Sequence, residues 1–350
     1  MKYVLDPVLF ISPGGIAIDT HYVVRAYVYQ LFGQLPKTVR SLAIDFGTNP
    51  PKAPAIEFSA EIAPDVWPEV ELRPHERALI SFEGNQAALA DRMYHKDHSV
   101  AHLAGMISPD ILREYSGAEG AQLPAIVRTA MAYTATGPTS WFALLKRALQ
   151  SLAEGISIFD SSREVPIDGG PSGRGLRVVI IVGGQGGTGT GALIPLGITI
   201  RWLARTLGIH VAIDVLLLAG KYREPDGQED RKAALNRVMD TDLEFVMYPG
   251  NAVLSMPLGP STTARAEGRL FDTVLRQEAW GAFEHNSRAV IARAARTIAF
   301  RYFSTAGFQI QNSRGNVESR ARLLTLADRP AWPRKDSGNH NDNQPTILSN

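Results

Sequence analysis

Between Gly183 and Gly191 the chain reads Gly-Gly-Gln-Gly-Gly-Thr-Gly-Thr-Gly, six glycines and two threonines in nine residues. So few side chains cannot build a core. What the stretch offers is bare backbone: amide N–H groups able to approach a bulky anion, with two hydroxyls as further donors. Glycines are costly to order, so this density points to a ligand or to very close backbone packing. Directly before it, Leu176-Arg177-Val178-Val179-Ile180-Ile181-Val182 is β-branched and bounded by glycine, which predicts a buried strand. Behind it, Ala192 to Arg205 predicts a helix with Pro195 near its first turn. Strand, glycine loop and helix N-terminus together form the geometry in which free amides and the helix dipole receive phosphate oxygens.

Three glycine-loop chemistries compete for this stretch. A Walker A loop requires Lys followed by Ser or Thr after its last glycine, and Ala192 and Leu193 stand there instead. A dinucleotide fingerprint can be aligned on Gly184, Gly186 and Gly189, with Asp214 as the ribose-binding acid, which implies an NAD-dependent oxidoreductase. The third pattern is a triple glycine followed by Thr-Gly-Thr/Ser-Gly. Gly186-Gly187-Thr188-Gly189-Thr190-Gly191 resembles that signature of the tubulin/FtsZ superfamily, with Gln185 in place of its first glycine. The resemblance is to a divergent bacterial member carrying the GTPase domain. It implies that the backbone from Gly183 and Gly184 through Gln185 to Gly191 holds phosphates, with Thr188 and Thr190 supplying hydroxyl donors.

The elements that must position such a loop follow in the family's order. Val8 to Ile11 predicts a strand, Ser12-Pro13-Gly14-Gly15 a tight turn, and Ile16 to Phe32 an apolar helix ended by Gly33. The resemblance makes Gly14 and Gly15 a first phosphate turn. Ser41 to Gly47 is a second strand, and Asp45 matches the family's acidic loop near phosphates and magnesium. The Pro-rich stretch 49–74 is too broken for regular structure and predicts a surface insertion. Gly117-Ala118-Glu119-Gly120-Ala121-Gln122 leads into a helix at 125–133 containing Arg128. It resembles the γ-phosphate loop, with Glu119 inserted as an unwelcome negative charge. Val211 to Leu218 is a further strand, 221–230 a charged turn at the family's ribose loop, 231–242 an amphipathic helix, and 243–248 a strand ending in Pro249-Gly250-Asn251. Asn251 stands where FtsZ-like members carry Pro-Asn-Asp. A long helix is predicted from Arg276 to Tyr302. The resemblance gives Asn286 on it the reading of the guanine ring and Phe283 a stacking surface.

Together these predict an α/β three-layer sandwich with a mostly parallel sheet, similar to the tubulin/FtsZ GTPase domain, over residues 1–305. Residues 306–335 are expected to be a short remnant in place of a second domain and 336–350 a disordered tail. The family hydrolyses GTP in trans through an Asn-x-Asp-x-x-Asp loop. Gly315 to Ala321 keeps an Asn and one acid, Glu318, the candidate catalytic residue, but has Ala321 at the last acidic position. The resemblance thus implies binding of GTP or GDP with Mg2+, and hydrolysis that depends on self-association. A non-hydrolysing nucleotide-binding subunit of a larger assembly is the alternative.

Composition narrows the classes. With 350 residues, a net charge of +1 and no basic run, the chain does not read as a nucleic-acid binder. It contains no apolar stretch of about eighteen residues, so membrane insertion is not expected. The absence of cysteine excludes disulfides, thiolate metal sites and a cysteine nucleophile, and fits a cytoplasmic address. His95, His98 and His102 recur at spacings of three and four, which on a helix would align three imidazoles as zinc ligands or as a polar face.

Overall fold

The computed structural model describes residues 7–47, 62–115, 123–161, 176–184, 186–221, 270–280, 283–303 and 322–328. Four strands lead in chain order: β1 (Val8–Pro13), β2 (Val39–Phe46), β3 (Arg77–Ile80) and β4 (Leu176–Gly183). β5 (Val211–Lys221), β6 (Thr273–Trp280) and β7 (Arg322–Asp328) complete a seven-stranded sheet in the order β3-β2-β1-β4-β5-β6-β7. Every pairing is parallel. The helices are α1 (Gly15–Phe32), α2 (Val66–Glu69), α3 (Gln86–Tyr94), α4 (Pro109–Glu114), α5 (Pro124–Tyr133), α6 (Trp141–Ser161), α7 (Gly187–Leu207) and α8 (Phe283–Phe303).

A parallel sheet must be covered on both faces, which explains why its strands are nearly continuous apolar runs. Alternate residues divide between the faces. Leu9, Ile11, Leu42, Ile44, Val178, Ile180 and Val182 pack with residues of α5, α6 and α7 on one side. Val8, Phe10, Ala43, Val179 and Ile181 pack with α1, α8 and the 62–72 segment on the other. This is a three-layer α/β sandwich. A third cluster joins α3, α4 and the outer face of α5 beside the β3 edge. Among the described residues no helix is long and apolar enough to cross a membrane.

The structure departs from the sequence expectations in five places. The described part of the Pro-rich stretch is no surface insertion: 66–69 form α2, and Ile62, Val66, Trp67, Val70 and Leu72 are buried in the second core, because these apolar residues cover the sheet beside α1. α7 begins at Gly187, not Ala192, so most of the glycine–threonine stretch is helix and Pro195 falls inside it, in the third turn. There the proline removes the bond that the Gly191 carbonyl would have accepted. Glycine is a poor helix former, but tertiary contact overrides propensity. A Cβ on Gly191 would lie 2.6 Å from Val127 Cβ and 2.7 Å from the Pro124 carbonyl of α5. The helix expected from Arg276 starts instead at Phe283, and 273–280 form β6. Val274 and Leu275 point into opposite cores, the period of a strand. The three histidines do not share a helix face: α3 ends at Tyr94, Lys96 turns left-handed at φ 54°, and His102 sits in a 3-10 turn. No metal-binding group of three or more such side chains occurs among the described residues. Lastly, 322–328, within the expected remnant, pair with β6 as the edge strand β7.

Below the carboxyl edge, buried charges tie the layers. Asp214 on β5 receives Arg177 of β4 at 2.7 Å and the Tyr302 hydroxyl of α8 at 2.6 Å. Burial pushes the Asp214 carboxyl upward, but the charges of Arg177 and Arg301 and the Tyr302 bond outweigh it and hold the acid below its ordinary range. Burial, and then the charge of Asp214, hold the Tyr302 phenol above its usual value.

The close helix contact yields a stability test. Gly191→Ala is expected to lower the unfolding free energy by about 1–3 kcal/mol, because overpacking exceeds the helix-propensity gain of alanine. Gly15→Ala, where nothing lies within 4 Å of the added Cβ, is expected to be neutral or to stabilise by up to about 1 kcal/mol. Urea denaturation of the two variants beside the native chain measures both.

Candidate functional site

In the strand order, β1 and β4 are neighbours whose following helices leave on opposite faces: α1 toward α8, α7 toward α5 and α6. The carboxyl ends of strands at such a reversal point open a crevice, the general ligand position of open α/β sheets. Both glycine turns singled out in the sequence meet here, and they touch. Gly14, at φ 88°, is the N-cap of α1, and a Cβ on it would lie 3.2 Å from Thr188 Cβ. A Cβ on Gly183 would lie 2.5 Å from Ile16 Cγ2, and one on Gly189 would lie 2.7 Å from the Gly183 carbonyl. Two helix N-termini therefore approach from opposite layers, with a glycine on one side of each contact.

The glycines divide by role. Gly183, Gly189 and Gly191 are buried packing positions. Gly15 and Gly186 are exposed, with nothing within 4 Å of an added Cβ. The Gly14 and Gly184 amides donate to strand carbonyls, Ile44 at 2.8 Å and Leu218 at 3.0 Å. The first intrahelical bonds are Ile18 N–H to Gly14 and Thr190 N–H to Gly186. The amides of 15–17 and 187–189 precede them and lie outside the helical ladders, where helix dipoles concentrate positive potential. Thr190 is fully buried and its hydroxyl donates to the Gly186 carbonyl at 2.8 Å, so it serves the helix start; the sequence had assigned that hydroxyl to a phosphate. Thr188 is buried against Gly14.

Asp45 ends β2 one strand away and accepts the Phe46 amide at 2.9 Å. Burial raises its carboxyl above the ordinary range. Beside it stands Asp19, in the second turn of α1, a residue that no motif in the sequence singles out. Burial first, and then the negative charge of Asp45, push Asp19 up to about 6. A cation arriving between the two would reverse that second cause.

Around Asp45, Phe46, Phe82 and Tyr115 form a triangle of edge-on rings with centroids 6.2–6.4 Å apart. It holds Tyr115 at the carboxyl side of β2. On the far side of the gap, the Pro124 carbonyl abuts Gly191. The flanks of the expected γ-phosphate loop thus lie against Phe46 at the end of β2 and against Gly191 of α7. Gly117, Ala118, Gly120, Ala121 and Gln122 themselves lie outside the described residues, as do Gln185, Asn251 and Glu318. Phe283 and Asn286 fall in the first turn of α8, which follows β6 at the same carboxyl edge.

Behind the first turn runs a buried polar chain that the sequence also left unread. His21 of α1, with no exposure, meets the Ser12 hydroxyl of β1 through Nδ1 at 2.8 Å and the Ser41 hydroxyl of β2 through Nε2 at 2.9 Å. Arg25 donates from Nη1 to Ser41 at 2.6 Å and to Glu76 at 2.9 Å, and from Nε to the Val70 carbonyl at 2.8 Å. Burial, and then the Arg25 charge, hold the His21 pKa well below its ordinary value. The available signal was Asp19, His21 and Arg25 as polar residues in an otherwise apolar helix, the last two one turn apart.

The alternative dinucleotide alignment does not survive the geometry. Asp214 pairs in register with Val179, four residues and about 13 Å of strand below Gly183. It is buried in its ion pair with Arg177 and cannot contact a ribose at the loop.

Asp19 gives a test with a definite sign. Its folded pKa is raised from the ordinary 3.8 to about 6, so its burden is absent only well below pH 3.8, where it is protonated folded or unfolded, grows as pH rises toward about 6, and is full above that. Asp19→Asn is expected to raise the melting temperature at pH 7.5 and to change it little near pH 3. Melting curves across pH 3–8 check it.

No family model matches the chain, and no curated protein sequence matches it. Among solved structures it is similar to CetZ2 from Haloferax volcanii in a GTPγS-bound protofilament, at 13% identity and a TM-score of 0.40, over 90% of this chain and 64% of that one. It is also similar to TubZ from Bacillus thuringiensis serovar israelensis in its GTPγS-form protofilament, at 12% identity and a TM-score of 0.38, over 84% of this chain and 54% of that one. The GDP-form TubZ protofilament matches at 12% identity and 0.36, over 84% and 53%. The chain spans between about half and two thirds of the length of these neighbours.

Proposed function

We propose that this chain binds a guanine nucleotide, GTP or GDP, with its phosphates in the crevice between β1 and β4. The observation that carries the proposal is the meeting of two glycine-led helix N-termini at the sheet's reversal point. Gly15 and Gly186 leave open space there, and the amides of 15–17 and 187–189 stand outside the helical ladders. Six such donors with two converging dipoles suit a polyanion. The choice of guanine rests on the resemblance of Gly186 to Gly191 to the tubulin/FtsZ signature, and Asn286 and Phe283 remain the candidate base contacts. The segment containing Gly117 to Gln122 is the candidate γ-phosphate contact by its resemblance to the family's loop, and its flanks lie against Phe46 and Gly191.

Magnesium fits the residues present. It is ordinarily held by one or two carboxylates plus phosphate oxygens, and Asp45 with Asp19 supplies two at the crevice rim. When bound, the ion would neutralise charge on the nucleotide's outer phosphates. Asp45 would hold it and Asp19 would add the second carboxylate, losing its proton as it did so. Self-association is part of the proposal as the route by which a second copy's Glu318 segment would reach the nucleotide. Without it the domain acts as a nucleotide-binding subunit.

The test begins with denaturing the purified protein and identifying any released nucleotide by chromatography. Added GTPγS with Mg2+ is expected to raise the melting temperature, and NADH is not; the reverse pattern overturns the proposal. Gly15→Asp and Gly186→Asp place a carboxylate in the open space without a clash and are expected to weaken GTPγS binding at least tenfold, which is about 1.4 kcal/mol, by titration calorimetry.

A further inference from the structure

Ser12 and Ser41 are polar residues within the mostly apolar parallel strands β1 and β2, and both are buried. A buried hydroxyl is costly unless bonded, and an all-apolar version of this contact would fold at no greater cost. The chain keeps instead a continuous line: Arg25, Ser41, His21, Ser12. Ser12 is followed at once by Pro13 and Gly14, the turn that opens α1.

The Arg25 charge gives this line a direction. Arg25 has no acceptor, so Ser41 accepts from it, which leaves the Ser41 proton available to His21 Nε2. In that tautomer the neutral imidazole carries its proton on Nδ1 and donates to Ser12. The imidazole then turns its negative edge toward the guanidinium, whereas the other tautomer would turn an N–H toward it. The remaining Arg25 donors reach Glu76 and the carbonyls of Val70 and Glu71. One imidazole, wedged against Phe10, therefore ties α1 to two adjacent strands and, through Arg25, to the 70–76 segment.

We propose that His21 is a positioning residue for the first phosphate turn: its Nδ1 bond to Ser12 fixes the carboxyl end of β1 and so aims the amides of 15–17, which follow Gly14, into the crevice. The consequence for ligand rests on the nucleotide reading above; the consequence for the turn does not. The two ring nitrogens can be tested separately. An asparagine amide reaches the place of Nδ1, and a glutamine amide the place of Nε2. His21→Asn keeps the Ser12 bond, and His21→Gln keeps the Ser41 bond.

The experiment measures amide exchange of the 12–16 segment in the ligand-free protein by mass spectrometry, with the Gly14 N–H to Ile44 bond as reporter, alongside GTPγS affinity. His21→Gln and Ser12→Ala are expected to accelerate exchange and weaken GTPγS about tenfold each, the scale of one buried hydrogen bond. His21→Asn is expected to keep both within about threefold of the native chain, at equal or lower melting temperature than His21→Gln. Equal effects of Asn and Gln, or slower loss in Gln, overturn the positioning role, and should both histidine variants fail to fold, Ser12→Ala decides it alone. If the exchange order holds while the native chain binds no GTPγS, the turn is positioned as proposed and the nucleotide reading falls.

Discussion

Everything at the carboxyl edge of this sheet depends on how closely α1 and α7 approach. Ile16 sits where a Gly183 Cβ would be, Thr188 presses on Gly14, and Gly189 lies on the Gly183 carbonyl. Side chains at these points would force the helices apart by an ångström or more, and protein interiors do not absorb such a change without distortion. The approach fixes the distance between two sets of free amides. The glycines of this motif therefore act first on the protein itself, and a ligand inherits the result.

That division explains what was and was not legible in the sequence. The strands β1, β2, β4 and β5 were evident because buried parallel strands are nearly continuous apolar runs. α1 was evident because Gly33 closes it with a left-handed cap at φ 68°. The start of α7 was misplaced because local propensity counts glycine against a helix, and the contacts that reward it, with Val127, Pro124 and Gly183, come from distant parts of the chain. The 276–280 part of β6 was read as helix for a related reason: what makes it a strand is its backbone pairing with β5 and β7, which lie far away in the chain.

The crevice was half legible. Gly14, Gly15, Asp45 and the 183–191 run converge on it from separate stretches of sequence, as their glycines and strand-end acid suggested. Asp19, Ser12 and His21 were missed because a single polar residue in an apolar segment carries no information about its partner. Only the pairing of α1 with both β1 and β2 gives these residues meaning. Asp214 errs in the opposite sense. As an acid near the expected distance from a glycine loop it invited a ligand role, but its register places it at the other end of the strand.

The two polar systems of the domain also differ in kind. Asp214 with Arg177 and Tyr302 is a charged cluster in which loss of Arg177 strips the buried carboxylate of its ion pair, and the Tyr302 bond ties α8 to the sheet. The His21 line is neutral along its length, charged only at Arg25, and ends beside the turn that opens α1. Neutral hydrogen bonds contribute little net stability but constrain direction strongly. A site built from backbone amides has no side chain of its own to adjust, so its aim must be set by what lies behind the backbone. In this fold the packing glycines set how close the two amide sets stand, and the imidazole behind β1 sets where one of them points.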